Sequence, residues 1–469
     1  MSENIHEKFL KALRWEADEI SAFMPDWLDT VKFMGLTDED VSFAVERWLP
    51  QYWDMSMKSV RKMISACLRE LAVLAKMEKY IQAGDKVIYA NTTSSFACIY
   101  ANKLAGGEHL HIAYPDFMIS TVLQAFFGKT LNQSFCSSYM DSGCNHCGLN
   151  CIRVNVGTQK RIPAPTVSWN WGLHCNEAPK TDEMIDCLSR DGWKDVFITI
   201  PHDAPLGTSE ADDEERVDYL ASQIRRGQEE LTAITGVAVP EEVLKEAMGT
   251  YMSYMYRMEK LMELAINADP QPISGNELAL FAMCMQVAFD TGMDGVNDAL
   301  DTAIQEVSQR VSRGEGPVKK GAPKLACHFV PLNIPWVDRA FRDNGVTLSL
   351  GRVFPLASWI EKRTGNDDIY KACARQCLMW PDGVNMKNEA VIISRLMKHF
   401  PFDGALFGFY DFDRWIGALH KTMIQIVEEE TSLPHYYLEG SFWDNDMYSL
   451  EDRISIIRSI CNCLKISQI

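Results

Sequence analysis

Two parallel α/β lobes, joined by a helical section and preceded by a helical N-terminal extension, form the architecture the sequence predicts. Three observations carry it. Short β-like runs alternate with helical patterns of about 10–15 residues in two separate stretches, which argues for parallel sheets. Between those stretches lies a long helical section opened by the acidic run EADDEER. Ahead of them, apolar residues recur at helical spacing with no strand-like run. The predicted boundaries are 1–83 for the N-terminal helical region, 84–210 for a first α/β lobe with a cysteine-rich loop, 211–322 for the helical middle section, and 323–469 for a second α/β lobe.

In chain order, Phe9, Leu10 and Leu13, and later Val60, Met63, Ile64, Cys67 and Leu71, mark buried helix faces. Asp38 and Pro50 read as breaks, and Trp48 and Trp53 as core packing. From Gly84 the texture changes. KVIYANT is a strand, Ser95 to Leu104 a helix and HLHIAYP a strand; TVSWNW and VFITIP are strands with the helix TDEMIDCLSRDG between them. The middle section breaks at ADPQPISG and resumes to about Val311. Its methionines, Met252, Met255, Met258 and Met262, fall at helical spacing and read as core. After the linker SRGEGPVKKGAP, strands are expected at KLACHFVPL, VTLSL, DGALFGF and LPHYYLE. Helices lie between them, and another closes the chain from about Leu450. Each lobe is thus Rossmann-like or flavodoxin-like, and ligands of such folds sit at the carboxyl ends of the strands.

Composition narrows the function. At 469 residues the chain is too long for one ordinary core. The net charge of -18, without a Lys/Arg cluster, argues against a nucleic-acid partner. No run of 18 apolar residues is present, so no membrane span is expected. The start, MSENIHEKFLKALRWEADEI, has the pattern of an acidic amphipathic helix and not of a signal peptide, and the expected location is cytoplasmic. In a reducing compartment fourteen cysteines point to metal binding or chemistry more than to disulfides.

One segment stands out. MDSGCNHCGLNCIRVNVG holds Cys144, Cys147 and Cys151 in a C-x2-C-x3-C spacing, and Cys175 follows 24 residues later in NWGLHCNEAPK. Thiolates are soft ligands that select zinc or iron–sulfur centres. Gly143 and Gly148 leave the backbone free to wrap such a centre. A structural zinc site using Cys144, Cys147, His146 or His174 competes, as do unliganded thiols on a loop. Cys373 and Cys377 share one helix face at i, i+4, a spacing that a plain buried face explains. Cys67, Cys187, Cys461 and Cys463 read as core. No catalytic residue is identified. There is no P-loop, no G-x-S-x-G and no H-E-x-x-H, so any ATP is supplied through a partner.

From about residue 84 to 465 the chain resembles the 2-hydroxyacyl-CoA dehydratase family, which includes benzoyl-CoA reductase subunits and double-cubane cluster proteins. The phrases that carry the resemblance are CGLNC, PAPTVSWNWGLHCNEAPK, VFITIPHD, DPQPISGNE, FDGALFGF and LPHYYLEGSFWDNDMYSLEDRI, in that order. The resemblance implies a 4Fe-4S cluster, or alternatively a double-cubane cluster, with Cys147 and Cys175 as leading ligands. It also implies a homologous second subunit in a heterodimer (a homodimer is the alternative), an iron–sulfur ATPase activator and an acyl-CoA substrate. The implied activity is (R)-2-hydroxyacyl-CoA dehydration or acyl-CoA reduction; the alternatives are a non-catalytic or electron-transfer subunit, or a double-cubane reductase. One departure stands in the pattern. Where the family has a third cluster cysteine after the strand DGALFGF, this chain reads YDFDRW, Tyr410 to Trp415. Cys144 or Cys151 would complete the set in the first lobe, Cys377 would complete it from the second, or the cluster is altered or lost.

Overall fold

The first helices bury apolar side chains on one side, and the first three of them find their caps locally. They are α1 (Ile5–Ala12), α2 (Ala17–Met34), α3 (Asp38–Phe43), α4 (Leu49–Tyr52), α5 (Lys58–Leu74) and α6 (Met77–Ala83). The structure is a computed structural model, and it describes residues 4–91, 95–129, 148–172, 178–189, 192–201, 210–283, 288–330, 334–349, 354–380, 386–409, 414–439 and 449–466. Helix α2 stops at Gly35, whose φ of 68° is a left-handed cap, and Thr37 with Asp40 forms the capping box of α3. The break expected near Asp38 is therefore present. The one expected at Pro50 is not. A π-turn over Ala44–Trp48 carries the helical path from α3 into α4, and Pro50 sits in the first turn of α4, where a missing N–H does little harm.

The first sheet comprises β1 (Lys86–Asn91), β2 (Leu110–Ala113), β3 (Val167–Gly172) and β4 (Asp195–Thr199). All pairs are parallel, in the order β2-β1-β3-β4. Its helices are α7 (Phe96–Gly106), α8 (Pro115–Phe127), α9 (Gly148–Thr158) and α10 (Ala178–Ser189). No periodicity announces α8, because all thirteen of its residues are buried. Its end is sealed by the N-terminal region. The indoles of Trp48 and Trp53 both donate to the Ala125 carbonyl, at 2.9 and 2.7 Å, satisfying one of the last-turn carbonyls that a helix leaves open. Phe127 stacks on Phe9, 5.5 Å between ring centroids, and Phe9 in turn stacks on Trp27 at 5.0 Å. The extension is thus packed into the first lobe's core.

The middle section holds α11 (Glu214–Thr235), α12 (Glu241–Ile266), α13 (Gly275–Met283) and α14 (Asp294–Arg313). Met255, Met258 and Met262 of α12 are fully buried, and Met252 is half-buried against the same core. Helix α14 lies against α5 and α12 against α7. The contacts between α14 and α5 are polar as well as apolar. Glu306 accepts from the first amides of α5, Lys58 at 2.8 Å and Ser59 at 3.1 Å. In return Glu70 of α5 accepts from the amides of Asp290 and Thr291, both at 2.9 Å, just ahead of α14.

The second sheet holds β5 (Lys324–His328), β6 (Thr347–Ser349), β7 (Gly404–Phe409) and β8 (His435–Glu439), again all parallel, in the order β6-β5-β7-β8. Its helices are α15 (Trp336–Asp343), α16 (Ala357–Thr364), α17 (Ile369–Leu378), α18 (Met386–His399), α19 (Arg414–Thr431) and α20 (Leu450–Ile466). Lys324 joins this sheet to the middle section. Its Nζ donates to the Ile266 and Ala268 carbonyls at 2.7 and 2.6 Å, capping the C-terminal end of α12. Two four-stranded parallel sheets with an N-terminal helical region make this the expected α/β architecture. No helix among the described residues is long and apolar enough to cross a membrane.

Candidate functional site

Strand order locates the place where a ligand is expected. In each sheet the chain moves one way from the first strand to the second, then crosses to the other side. The connections leaving the carboxyl ends of β1 and β3, and of β5 and β7, therefore run to opposite sides of the sheet, the switch point where ligands of such folds are expected. In the first lobe, helices begin at this edge. Ser95 caps α7 by accepting from the Cys98 amide at 3.3 Å, α8 starts at Pro115 directly after β2, and α10 starts six residues after the end of β3.

Cys144, Cys147 and Cys175, three of the four candidate ligands, lie outside the described residues. The described flanks are informative. Gly148, the residue after Cys147, is the first of α9, and Ala178, three after Cys175, is the first of α10. Cys151 sits inside α9 and not on a loop; it is buried and packs against Met184 of α10. Cys373 and Cys377 are fully buried on α17, the plain buried face that their spacing allowed. Burial and the neighbouring Cys98 thiol both push the Cys373 thiol up, Cys98 most, so it is not primed as a thiolate. Cys67 and Cys461 are buried as expected; Cys187 and Cys463 are exposed, because each falls on the outward side of its helix.

Between α9 and α10 lies a buried polar cluster that spacing did not reveal. Arg153 of α9 donates from Nε and Nη2 to the two carboxylate oxygens of Asp182 on α10, both at 2.7 Å. Its Nη1 reaches Asp116 Oδ1, in the first turn of α8, at 3.4 Å. Asn170 of β3 donates to Asp182 Oδ2 at 2.5 Å and to Asp195 Oδ1, at the start of β4, at 2.6 Å. Arg153, Asp116, Asp182 and Asn170 are each no more than 1% exposed. Burial pushes the Asp116 carboxyl up to about 6 despite the nearby guanidinium. Burial would by itself lower the Arg153 pKa, but Asp182 and then Asp116 outweigh it and raise it. A fixed fork on a buried carboxylate aligns two helices more strictly than apolar contact does.

The matching edge of the second lobe is chemically different. His328, the last residue of β5, is fully buried and its Nε2 lies 2.7 Å from Glu389 Oε1 in the first turn of α18. His420 of α19 is buried nearby; burial first, and His328 second, lower its pKa to about 3. The backbone is tight here. Phe329 has φ 54°, and its carbonyl packs directly on Gly408 of β7, leaving no room for a Cβ. Tyr410 to Asp413, where the family's third cysteine is missing, lie outside the described residues.

Among the described residues, no three of His, Cys, Asp or Glu are grouped so as to hold a metal ion. The donor set in the sequence is another matter. Four thiols within residues 144–175 are soft ligands, of the kind that suits a zinc or an iron–sulfur centre.

Twin parallel sheets with helices starting at their carboxyl edges place the chain among two-lobed α/β proteins. A family model described as 2-hydroxyglutaryl-CoA dehydratase, D-component, matches residues 174–457, well over half of the chain, and the chain belongs to that family. It is accordingly a dehydratase-type enzyme component, of a kind that works within a multi-subunit complex. Cys175 falls inside the matched span; Cys144, Cys147 and Cys151 precede it, as do the first six helices. No curated protein matches the chain.

Proposed function

We propose that the chain is the iron–sulfur subunit of an ATP-activated, radical (R)-2-hydroxyacyl-CoA dehydratase-like or acyl-CoA reductase-like enzyme. The observation that carries this reading is the family match, which includes Cys175, together with the arrival of α9 and α10 side by side immediately after Cys147 and Cys175. Cys147 and Cys175 would hold the cluster, with Cys144 or Cys151 completing the set in place of the cysteine absent from Tyr410–Trp415. When bound, the cluster supplies low-potential one-electron chemistry and a Lewis-acidic iron at a thioester substrate. The chain's own part is to fix the thiols and keep them dry. Helix α8 and the face of α9 that carries Cys151 and Arg153 are buried, and Cys151 is enclosed against Met184. The chain has no P-loop, so ATP would act only through a separate iron–sulfur ATPase activator. A homologous second subunit, or a second copy of this chain, would complete the enzyme.

The test is anaerobic iron and sulfide content in the wild type, Cys147→Ala and Cys175→Ala. We expect iron in the wild type and its loss in both variants. Iron that survives removal of both thiols, or stoichiometric zinc in colourless protein, overturns the reading. A second reading, a non-catalytic or electron-transfer subunit, draws on the missing cysteine at Tyr410–Trp415. Electron paramagnetic resonance of the reduced protein separates the two: a cluster signal unmoved by any acyl-CoA favours the second. About eight irons in one shared cluster would point instead to a double-cubane reductase.

A further inference from the structure

The N-terminal extension, the middle section and the second lobe meet around a cavity of about 260 Å³. Three arginines line it, Arg310 of α14 and Arg339 and Arg342 of α15, together with Asp54 and Glu277. Like charges gathered in one cavity repel, so each calls for a counter-ion. Each has one: Arg310 Nη2 donates to Asp54 Oδ2 at 2.6 Å, Arg339 Nε to Asp343 Oδ1 at 2.8 Å, and Arg342 Nε to Asp338 Oδ2 at 2.6 Å. The last two contacts take only the Nε edge. Arg339 Nη1 reaches the Gln51 carbonyl at 3.4 Å, but among the described residues Arg339 Nη2 and both terminal nitrogens of Arg342 make no hydrogen bond. Arg342 keeps those donors open although its side chain is only 15% exposed. Arg153 and Arg375, which tie elements together, have instead an acceptor for every guanidinium nitrogen.

Open terminal nitrogens on arginines three apart along one helix are suited to an anion with several oxygens. Asp343 and Asp338 already hold the two side chains from their own helix, so a ligand need not order them. Glu277 adds little opposing charge below neutral pH, since burial and then Asp338 push its carboxyl up to about 7. The cavity shares Gln51, Tyr52 and Arg339 with a neighbouring groove of about 580 Å³. Trp48, Tyr52, Trp336 and Ile454 give that groove an aromatic and apolar wall, and Arg458 adds a cation. A small cationic cavity beside a wider aromatic groove suits a phosphate ester that carries a flat ring system. Residues 48–54 lie outside the span 174–457 of the family match, so the matched segment alone does not build this place.

We propose that this junction binds a nucleotide-type phosphate ester, with its phosphate on Arg339 and Arg342 and its ring along Tyr52 and Trp336. The site stands whether or not the chain carries a cluster. Its occupant is either a free nucleotide or the nucleotide end of coenzyme A. The test is calorimetric titration of the full chain, just below pH 7, with adenosine monophosphate, inorganic phosphate and coenzyme A. Arg339→Gln removes a half-exposed guanidinium, and Arg342→Lys keeps a cation beside Asp338 but loses the fork. Folding of both is checked by far-ultraviolet circular dichroism, and if Arg342→Lys does not fold, Arg339→Gln decides. We expect adenosine monophosphate to bind the wild type, and each folded variant about tenfold or more weakly, the loss of a charge-assisted hydrogen bond. Inorganic phosphate, which cannot use the groove, should bind the wild type about tenfold or more weakly than the nucleotide. Coenzyme A that displaces the nucleotide, and is weakened by the same substitutions, supports the site and names coenzyme A as the source. Coenzyme A that does not displace it supports the site as one for a free nucleotide. No nucleotide binding up to about 1 mM, equal affinity for nucleotide and phosphate, or unchanged nucleotide affinity in a folded variant overturns the proposal. None of these results bears on the iron content that tests the cluster.

Discussion

Single residues in this fold carry constraints that their types do not suggest. Gly408 is one. A Cβ there would run into the Phe329 carbonyl, which is backbone and has nowhere to go. Gly408→Ala should therefore lower stability in urea by about 3 kcal/mol, the upper range for overpacking, with little change in the m-value. Glu277 is another. It is 2% exposed, accepts from the Asp54 amide at 3.0 Å and contacts Ser274, and burial, then Asp338, push its carboxyl up to about 7. The unfolded chain ionises this group near 4.5, so between about pH 4.5 and 7 the folded state binds more protons and stability falls as pH rises. Glu277→Gln keeps both hydrogen bonds and cannot ionise. Its stability relative to wild type should climb by on the order of 3 kcal/mol between pH 5 and pH 8. A pH-independent difference in urea midpoints would refute the assignment.

Whole elements were legible wherever burial is one-sided. Helices such as α5 and α14, and the strand-helix alternation of both lobes, follow from apolar spacing. Helix α8 left no such trace because it is enclosed on every side. The start of α9, Gly148 to Cys151, was read as part of a metal-wrapping loop, whereas Cys151 and Arg153 both face inward from a regular helix. Pro50 was over-read as a stop, since a π-turn upstream carries the chain through it. The cluster around Arg153 draws on four further elements: α8 and α10 supply its partners Asp116 and Asp182, and Asn170 of β3 links Asp182 to Asp195 of β4. No local spacing could have assembled them. The four cysteines were visible in the sequence, but the ion pair that links α9 to α10 was not.

At the scale of the molecule, the two lobes repeat one strand order and are joined by helices that belong to neither sheet. Arg375 of α17 is the main polar tie on one side. It donates to both oxygens of Asp367, to Glu214 at the start of α11 at 2.7 Å, and to the Ala211 carbonyl at 2.5 Å. Arg375→Ala should cost about 3 kcal/mol in urea unfolding, since it strands Asp367 and a buried carbonyl at once. Loss of less than about 0.5 kcal/mol, the range of an ordinary surface substitution, would show that apolar contact alone joins α11 to α17.

The exchange of caps between α5 and the start of α14 also fixes an order of events during synthesis. The first amides of α5 have their acceptor in Glu306, and the carboxylate of Glu70 has its donors in Asp290 and Thr291. A nascent chain emerging N-terminus first has no donor for Glu70 until Asp290 and Thr291 are made, and no acceptor for the open end of α5 until Glu306 is. The N-terminal helices thus reach their final bonding only when the middle section returns to them.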